Sequence, residues 1–310
     1  VNSFTIGAAK VTRIEEVLEK GFQPSFLLPG FDPAIFQKHP QLTQPNFFDA
    51  ETGRSFSSIH SWLIEIDGTK ILVDTCSGNG KVRALPLFQR FHMLNFPFLE
   101  NLGKAGVQPE DIDIVFCTHL HIDHVGWNTR KSGDKWIPTF PNARYIFGKD
   151  EYEHWTTGKG PSVFPENVAV IEDSVLPITE AGMAEFVEDG DEIMPGLKVE
   201  AAPGHTNTQL ILKYTSPEGS FVISADCIHQ PIQIYAPELN SCFCENQEAA
   251  RATRRKLLDF CADSGALLLP MHFGPPHAGF VHRAGDGYRF EPAQPTQAHE
   301  PSQEKASILP

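Results

Sequence analysis

Hydrophobic residues along this chain fall mostly in short runs, the length of strands and not of long helices. Lys10–Leu18 reads as an opening strand. Ser58–Ile66 (SIHSWLIEI) partly alternates, Asp67-Gly68 supplies a turn, and Lys70–Asp74 (KILVD) runs apolar, which together predict a hairpin. Asp113–Cys117, Ala143–Phe147, Leu197–Ala201, Gln209–Tyr214, Ser220–Ala225 and Ala266–Pro270 read as further strands, the first and last of them buried. Helical spacing predicts short helices over Pro97–Ala105 and Lys149–Trp155 and a clearer one over Gln247–Ser264, stopped by Gly265. Strands come first and are then interleaved with helices. That order favours two sheets covered by helices over one doubly wound sheet.

Two segments stand outside this pattern. Phe22–Phe48 holds six Phe and five Pro. Proline at that density forbids long helices, and so much phenylalanine is unlike a solvated strand of chain, so the segment reads as a packed extension, a lid, a subunit contact or a loop covering the core. Pro292–Pro310 is rich in Pro, Gln, Ser and Glu and reads as a loose tail. The expected organisation is therefore an N-terminal extension over 1–55, one catalytic α/β domain over 56–291, and a flexible tail over 292–310.

Composition narrows the function. Against 25 basic residues stand 39 acidic ones, a net charge of −14, which argues against a nucleic-acid partner. No apolar run approaches the ~20 residues of a membrane span, so no membrane partner is expected. The six cysteines are too few for a stapled secreted domain. Cys117 and Cys227 read as buried thiols, and Cys242 and Cys244 lack metal-ligand spacing. Cysteine usage fits the cytoplasm, while a chain starting at Val1 leaves a trimmed leader and the periplasm open.

The strongest chemical signal is His119-Leu120-His121-Ile122-Asp123-His124, directly after a strand. Imidazole and carboxylate are good ligands for Zn²⁺ and similar metals. His119 and His121, two apart in an extended turn, point to one side, and Asp123 and His124 point to a neighbouring position as the chain bends. Three more ligand-type residues follow apolar strands: His205 in PGHT, Asp226 in SAD and His272 in PMH. Ends of buried strands are where sheet scaffolds carry function.

HxHxDH, then PGHT, SAD and a final His, with Asp74 in an early LVDT, resembles the metallo-β-lactamase superfamily over about residues 58–290. The segment from His272 to Phe290 and the Lys149–Trp155 segment are similar to the methyl parathion hydrolase and dihydrocoumarin hydrolase group, which in turn resembles the acyl-homoserine lactonases. The resemblance implies an αβ/βα four-layer sandwich, two mixed β-sheets flanked by helices, with two metals at one edge. It implies His119, His121 and His205 on one metal, Asp123, His124 and His272 on the second, Asp226 bridging both, and Asp74 as structural support. His121 stands where flavodiiron oxygen reductases carry Glu, and Asp226 where one β-lactamase subclass carries Cys, which disfavours both branches.

The chemistry so implied is hydrolysis: a hydroxide bridging two metals attacks a lactone or aryl-ester carbonyl. Asp123 would act as proton shuttle to the leaving oxygen. The alternatives are an organophosphate triesterase using the same site and a thioesterase of the glyoxalase II kind. A non-catalytic metal-binding protein is the reading from a different class. Two divalent ions are expected, Zn by default, with Mn, Fe or Co open. Trp127, Trp155, Phe140, Phe164, Phe273 and His229 are candidates to line a pocket for a small apolar or aromatic ester or lactone. The resemblance and the Phe-rich segment together suggest a homodimer.

Overall fold

The computed structural model describes residues 2–43 and 47–294; the tail expectation falls largely on residues outside this range. The first sheet takes β1 (Ser3–Ile6), β2 (Ala9–Lys20), β3 (Phe48–Asp49), β4 (Arg54–Ile66), β5 (Thr69–Val73) and β6 (Ile114–Cys117). A small separate hairpin follows, β7 (Thr129–Ser132) with β8 (Lys135–Pro138), and then β9 (Arg144–Gly148) and β10 (Ala184–Val187) complete the sheet. Its order is β1-β2-β4-β5-β6-β9-β10, with β3 paired on β4. β1 to β5 pair antiparallel along this path, and β5, β6, β9 and β10 run parallel.

The second sheet runs in sequence order: β11 (Glu192–Met194), β12 (Leu197–Ala201), β13 (Leu210–Ser216), β14 (Gly219–Ile223), β15 (Leu267–Leu269), β16 (Gly279–Ala284) and β17 (Gly287–Pro292). Only the β14–β15 pair is parallel. It is joined by the 18-residue helix Gln247–Ser264, capped by Asn246, whose side chain accepts from Ala249 N, and ended by Gly265 in the left-handed region.

Period-two alternation sorts the strand residues into layers. Ile71, Val73, Ile114 and Phe116 of the first sheet meet Phe221, Ile223, Leu267 and Leu269 of the second in one core. The residues between them, Leu72, Val115 and Cys117, face the other way, against Phe98, Leu102, Val170 and Ile178 of the outer helices. Val222 and Leu268 likewise pack on Leu257, Leu258 and Cys261 of the long helix. Central strands buried on both faces explain why their sequences run apolar without a break. The result is the four-layer αβ/βα sandwich that the resemblance implied.

Several elements differ from the sequence reading. β1 and β2 make Ser3–Lys20 part of the first sheet, and β4 starts at Arg54, across the expected 55/56 boundary. The segments 160–196 and 279–292 hold helices and strands that pattern reading passed over. Their runs are three to seven residues long, too short to show a period. The Phe-rich stretch forms two helical turns, Pro24–Leu27 and Ala34–Lys38, and packs Leu27, Leu28 and Leu42 on Ile232. Cys117 and Cys227 are buried free thiols. Among the described residues no helix is long and apolar enough to cross a membrane.

Candidate metal centre

All the ligand-type residues sit at one edge of the sandwich, because the strands that deliver them run the same way. Asp74 follows β5, and the His119–His124 loop follows its parallel neighbour β6. His205 follows β12, Asp226 follows β14, and His272 follows β15, parallel to β14. The two sheets are tied together here by Leu210 N donating to Thr118 O at 2.9 Å and Ser58 N to His272 O at 3.1 Å. Two backbone features shape the loops. Ala225 and Asp74 hold φ of 46° and 54°, strained values for non-glycine residues beside a site. Gly204, at φ 141°, lets the His205 loop lie against the long helix, since a Cβ there would come 2.3 Å from Ala250 Cα.

The side chains converge. His121 Nδ1 lies 2.9 Å from His205 Nε2. Asp226 stands between two groups of imidazoles. Its Oδ2 is 3.2 Å from His205 Nε2 and 3.9 Å from His119 Nε2, and its Oδ1 is 3.0 Å from His272 Nε2 and 3.4 Å from His124 Nε2. Asp123 lies on the His124 and His272 side, at 3.7 and 3.9 Å. Three compact donor sets result: His119, His121 and His205; His119, His124 and Asp226; Asp123, His124 and His272. A fourth, His205, Asp226 and His229, brings in a residue read from sequence only as pocket lining. His229 Nε2 is 3.1 Å from Asp226 Oδ2, and its ring stacks on His272 at 15°.

These residues fit divalent metal. His119 Nε2, His124 Nε2 and Asp226 Oδ1, all at the centre, are buried without a hydrogen-bond partner. Orphaned buried polar atoms are rare and call for an explanation, and nitrogen lone pairs converging beside a carboxylate are a cation's donor set. Electrostatics agrees for three of the imidazoles. Burial, with the neighbouring imidazoles, pushes His119 and His205 well down and His121 down to about 4, so all three are neutral, the form that ligates. Burial also pulls on His124 and His272, but the surrounding carboxylates, Asp226 foremost, outweigh it and hold both above the ordinary value. Burial pushes Asp226 up, and the imidazoles around it outweigh that and hold it well below the usual carboxylate range.

Carboxylates and a backbone carbonyl behind the rings fix them. Asp74 accepts from Thr118 N at 2.7 Å and Thr118 Oγ1 at 2.8 Å, and lies 2.7 Å from His124 Nδ1. His272 Nδ1 lies 3.1 Å from Ser58 O. Sequence reasoning missed the other anchor, Glu151. This buried carboxylate accepts from Leu120 N at 3.0 Å, Trp155 Nε1 at 2.7 Å, Thr206 Oγ1 at 2.7 Å and Thr208 Oγ1. It thereby ties the HxHxDH loop to the His205 loop. Burial raises its pKa despite these four donors.

A cleft of about 700 Å³, counted with its open mouth, leads to the centre. Phe164 and His229 stand in its wall, and so do Phe22, Phe88, Phe91 and Phe243. The other four pocket expectations are corrected. Trp127 stacks on Phe98 and donates to Glu16, Phe140 is core beside Tyr145, and Phe273 packs between Phe47 and Phe290. Trp155 sits 5.4 Å from the His121 ring but outside the cleft, held by Glu151. Each aromatic that follows the ligand loop closely in sequence is drawn into core by its own apolar surface. Besides Phe164 and His229, the wall comes from segments 22–27, 86–91 and 243, distant in sequence and carrying no motif.

Comparison with known proteins agrees with the geometry. The chain is 25% identical over 181 residues to an N-acyl homoserine lactonase of Bacillus sp, covering 53% of this chain and 62% of that one. It is 28% identical over 185 residues to metallo-beta-lactamase domain-containing protein 1 of Xenopus laevis, 59% and 63% of the two chains. Thus the matches span less than two thirds of these relatives' length. The fold is similar to that of AbOPH, a hydrolase in the beta lactamase superfamily (TM-score 0.78, 24% identity, 96% and 98% of the two chains). It is also similar to that of AidC, a dizinc quorum-quenching lactonase (TM-score 0.74, 21% identity, 95% and 98%). The profile of the Metallo-beta-lactamase superfamily matches residues 54–272, every ligand-type residue included, and the chain belongs to that superfamily.

Proposed function

We propose that the protein is a dinuclear metal-dependent hydrolase of a lactone or aryl ester with an apolar body. The observation that carries this reading is Asp226, whose two oxygens face two separate groups of imidazoles, with Asp123 completing the second group. His119, His121 and His205 would hold one ion, Asp123, His124 and His272 the other, and Asp226 both. When bound, such ions supply a Lewis acid and a water acidified enough to be nucleophilic near neutral pH.

The chain's own residues do the rest. Asp123 is the ligand-type residue with an exposed edge, its side chain 20% accessible, and it lines the cleft. Its carboxylate is placed to accept a proton at the reacting centre and return it to the leaving oxygen. The phenyl rings of the cleft hold the apolar part of the substrate and exclude water. Asp74 and Glu151 keep the imidazoles aimed, as outer-shell partners do in metal sites.

Proton release at constant pH tests the reading. Metal-loaded protein would be offered dihydrocoumarin, an acyl-homoserine lactone, an aryl ester and a phosphotriester, each with and without chelator. Chelator-sensitive turnover of a lactone or aryl ester is the expected result. A phosphotriester turned over far ahead of both would move the function to organophosphate hydrolysis, and no turnover of any would refute it.

A further inference from the structure

We infer that Arg90 is a specificity-determining residue that selects substrates carrying a second, uncharged hydrogen-bond acceptor on the apolar part, away from the scissile bond. The inference rests on the hydrolase reading above and deepens it.

Among the described residues lining the cleft, Arg90 is the one Lys or Arg. It comes from the 3₁₀ segment Pro86–Phe91, which also supplies Phe88 and Phe91 to the wall. Its guanidinium lies over the Phe22 ring at 4.6 Å and near the Phe91 ring at 5.1 Å. Both are distances at which a cation is attracted to an aromatic face. Nη2 donates to Glu19 Oε1, from β2. A guanidinium has five N–H donors in a rigid fork. Among the described residues the bond to Glu19 is the only hydrogen bond the guanidinium makes, so the fork is held in place with most of its donors uncommitted.

Three features set the class of ligand. Aromatic contacts and the anchor to Glu19 fix the fork before any ligand arrives, which lowers the ordering cost of binding. The rings it touches, Phe22 and Phe91, are apolar, and Leu27 and Phe88 line the same cleft. Finally, Glu19 balances the charge, so the pair offers hydrogen bonds without net charge. Such a wall suits a keto or amide oxygen on an otherwise apolar chain. A carboxylate would meet Glu19 as a like charge, and a plain alkyl chain would leave the donors unmatched.

The test compares phenyl octanoate with its 3-, 5- and 7-oxo counterparts and with the phenyl monoester of suberic acid. Each is measured on metal-loaded wild type and on Arg90→Gln, Arg90→Lys and Glu19→Gln. Wild type should take at least one oxo ester with a lower KM than octanoate and than the anionic monoester. In Arg90→Gln the KM for that oxo ester should rise about tenfold more than the KM for octanoate, the size of one hydrogen bond to a charged group. Loss of packing on Phe22 and Phe91 shifts all substrates together and cancels in that ratio. Arg90→Lys, which keeps charge but loses the fork, should fall between. Glu19→Gln should lower the KM of the anionic monoester selectively. An unchanged oxo-to-octanoate ratio in Arg90→Gln, or a wild-type preference for the carboxylate, overturns the inference. Calorimetric binding of the matching anilides gives the same ratio without turnover, so a failure of hydrolysis and a failure of recognition are told apart.

Discussion

Glu151 contributes no ligand in this account, yet it should decide how well the centre holds metal. Its carboxylate joins Leu120, between His119 and His121, to Thr206, next to His205. Glu151→Gln keeps the shape and one acceptor oxygen, and the threonine hydroxyls can turn to accept from the new amide. Charge assistance is lost, which should cost about 1–2 kcal/mol. Glu151→Ala leaves the buried Leu120 N–H and Trp155 Nε1–H without acceptors, at about 1–3 kcal/mol each. The two loops then lose their common anchor, and metal affinity should fall about 10–100-fold, as for other outer-shell losses. Competition against a chromophoric chelator reads the affinity, and chemical denaturation of metal-free protein reads the stability. Equal metal affinity in wild type and Glu151→Ala would show that this anchor does not hold the loops for metal. A Gln variant as damaged as the Ala variant would show that charge, and not unmatched donors, carries the effect.

Further outcomes are expected. Asp123→Asn should lower kcat at least about 100-fold, the usual scale of general acid–base catalysis, with a much smaller change in KM; steady-state kinetics with retained kcat would remove the proton shuttle. Gly204→Ala places a Cβ against the Ala250 backbone at a φ few side chains adopt, and should cost about 2–4 kcal/mol by denaturant titration. Burial, with nearby Arg13, pushes His277 down to about 3. The unfolded chain therefore binds a proton below about pH 6.5 that the folded chain refuses, and stability falls as pH falls through that window. At pH 5 the contribution is about 2 kcal/mol. His277→Asn, which tolerates the φ of 71°, should flatten that part of the profile, and identical profiles would exclude it.

The cluster of ligand-type residues was readable in the sequence and the cleft was not, for physical reasons. His119, His121, Asp123 and His124 share one loop, and His205, Asp226 and His272 each follow an apolar strand, so chemistry and periodicity coincide along the chain. The cleft wall has no such coincidence. Phe22, Phe88 and Phe91 meet Phe164 and Phe243 only through tertiary packing, and nothing local separates them from core phenylalanines such as Phe140 and Phe273. Trp127 and Trp155 misled because nearness in sequence to the ligand loop is not nearness to its open side. Glu151 was out of reach: a glutamate in a short helix is an ordinary surface pattern, and only burial reveals its four donors. The strands at 184–194 and 279–292 were too short or too mixed to show a period, and sheet pairing defines them instead.

In the proposed centre one carboxylate, Asp226, would serve two ions. Elemental analysis of protein dialysed with zinc, wild type beside Asp226→Ala, is the decisive test. Two ions per chain in wild type, with both weakened together in the variant, is the predicted result. One ion per chain in wild type, or a variant that still holds two with undiminished affinity, would contradict it.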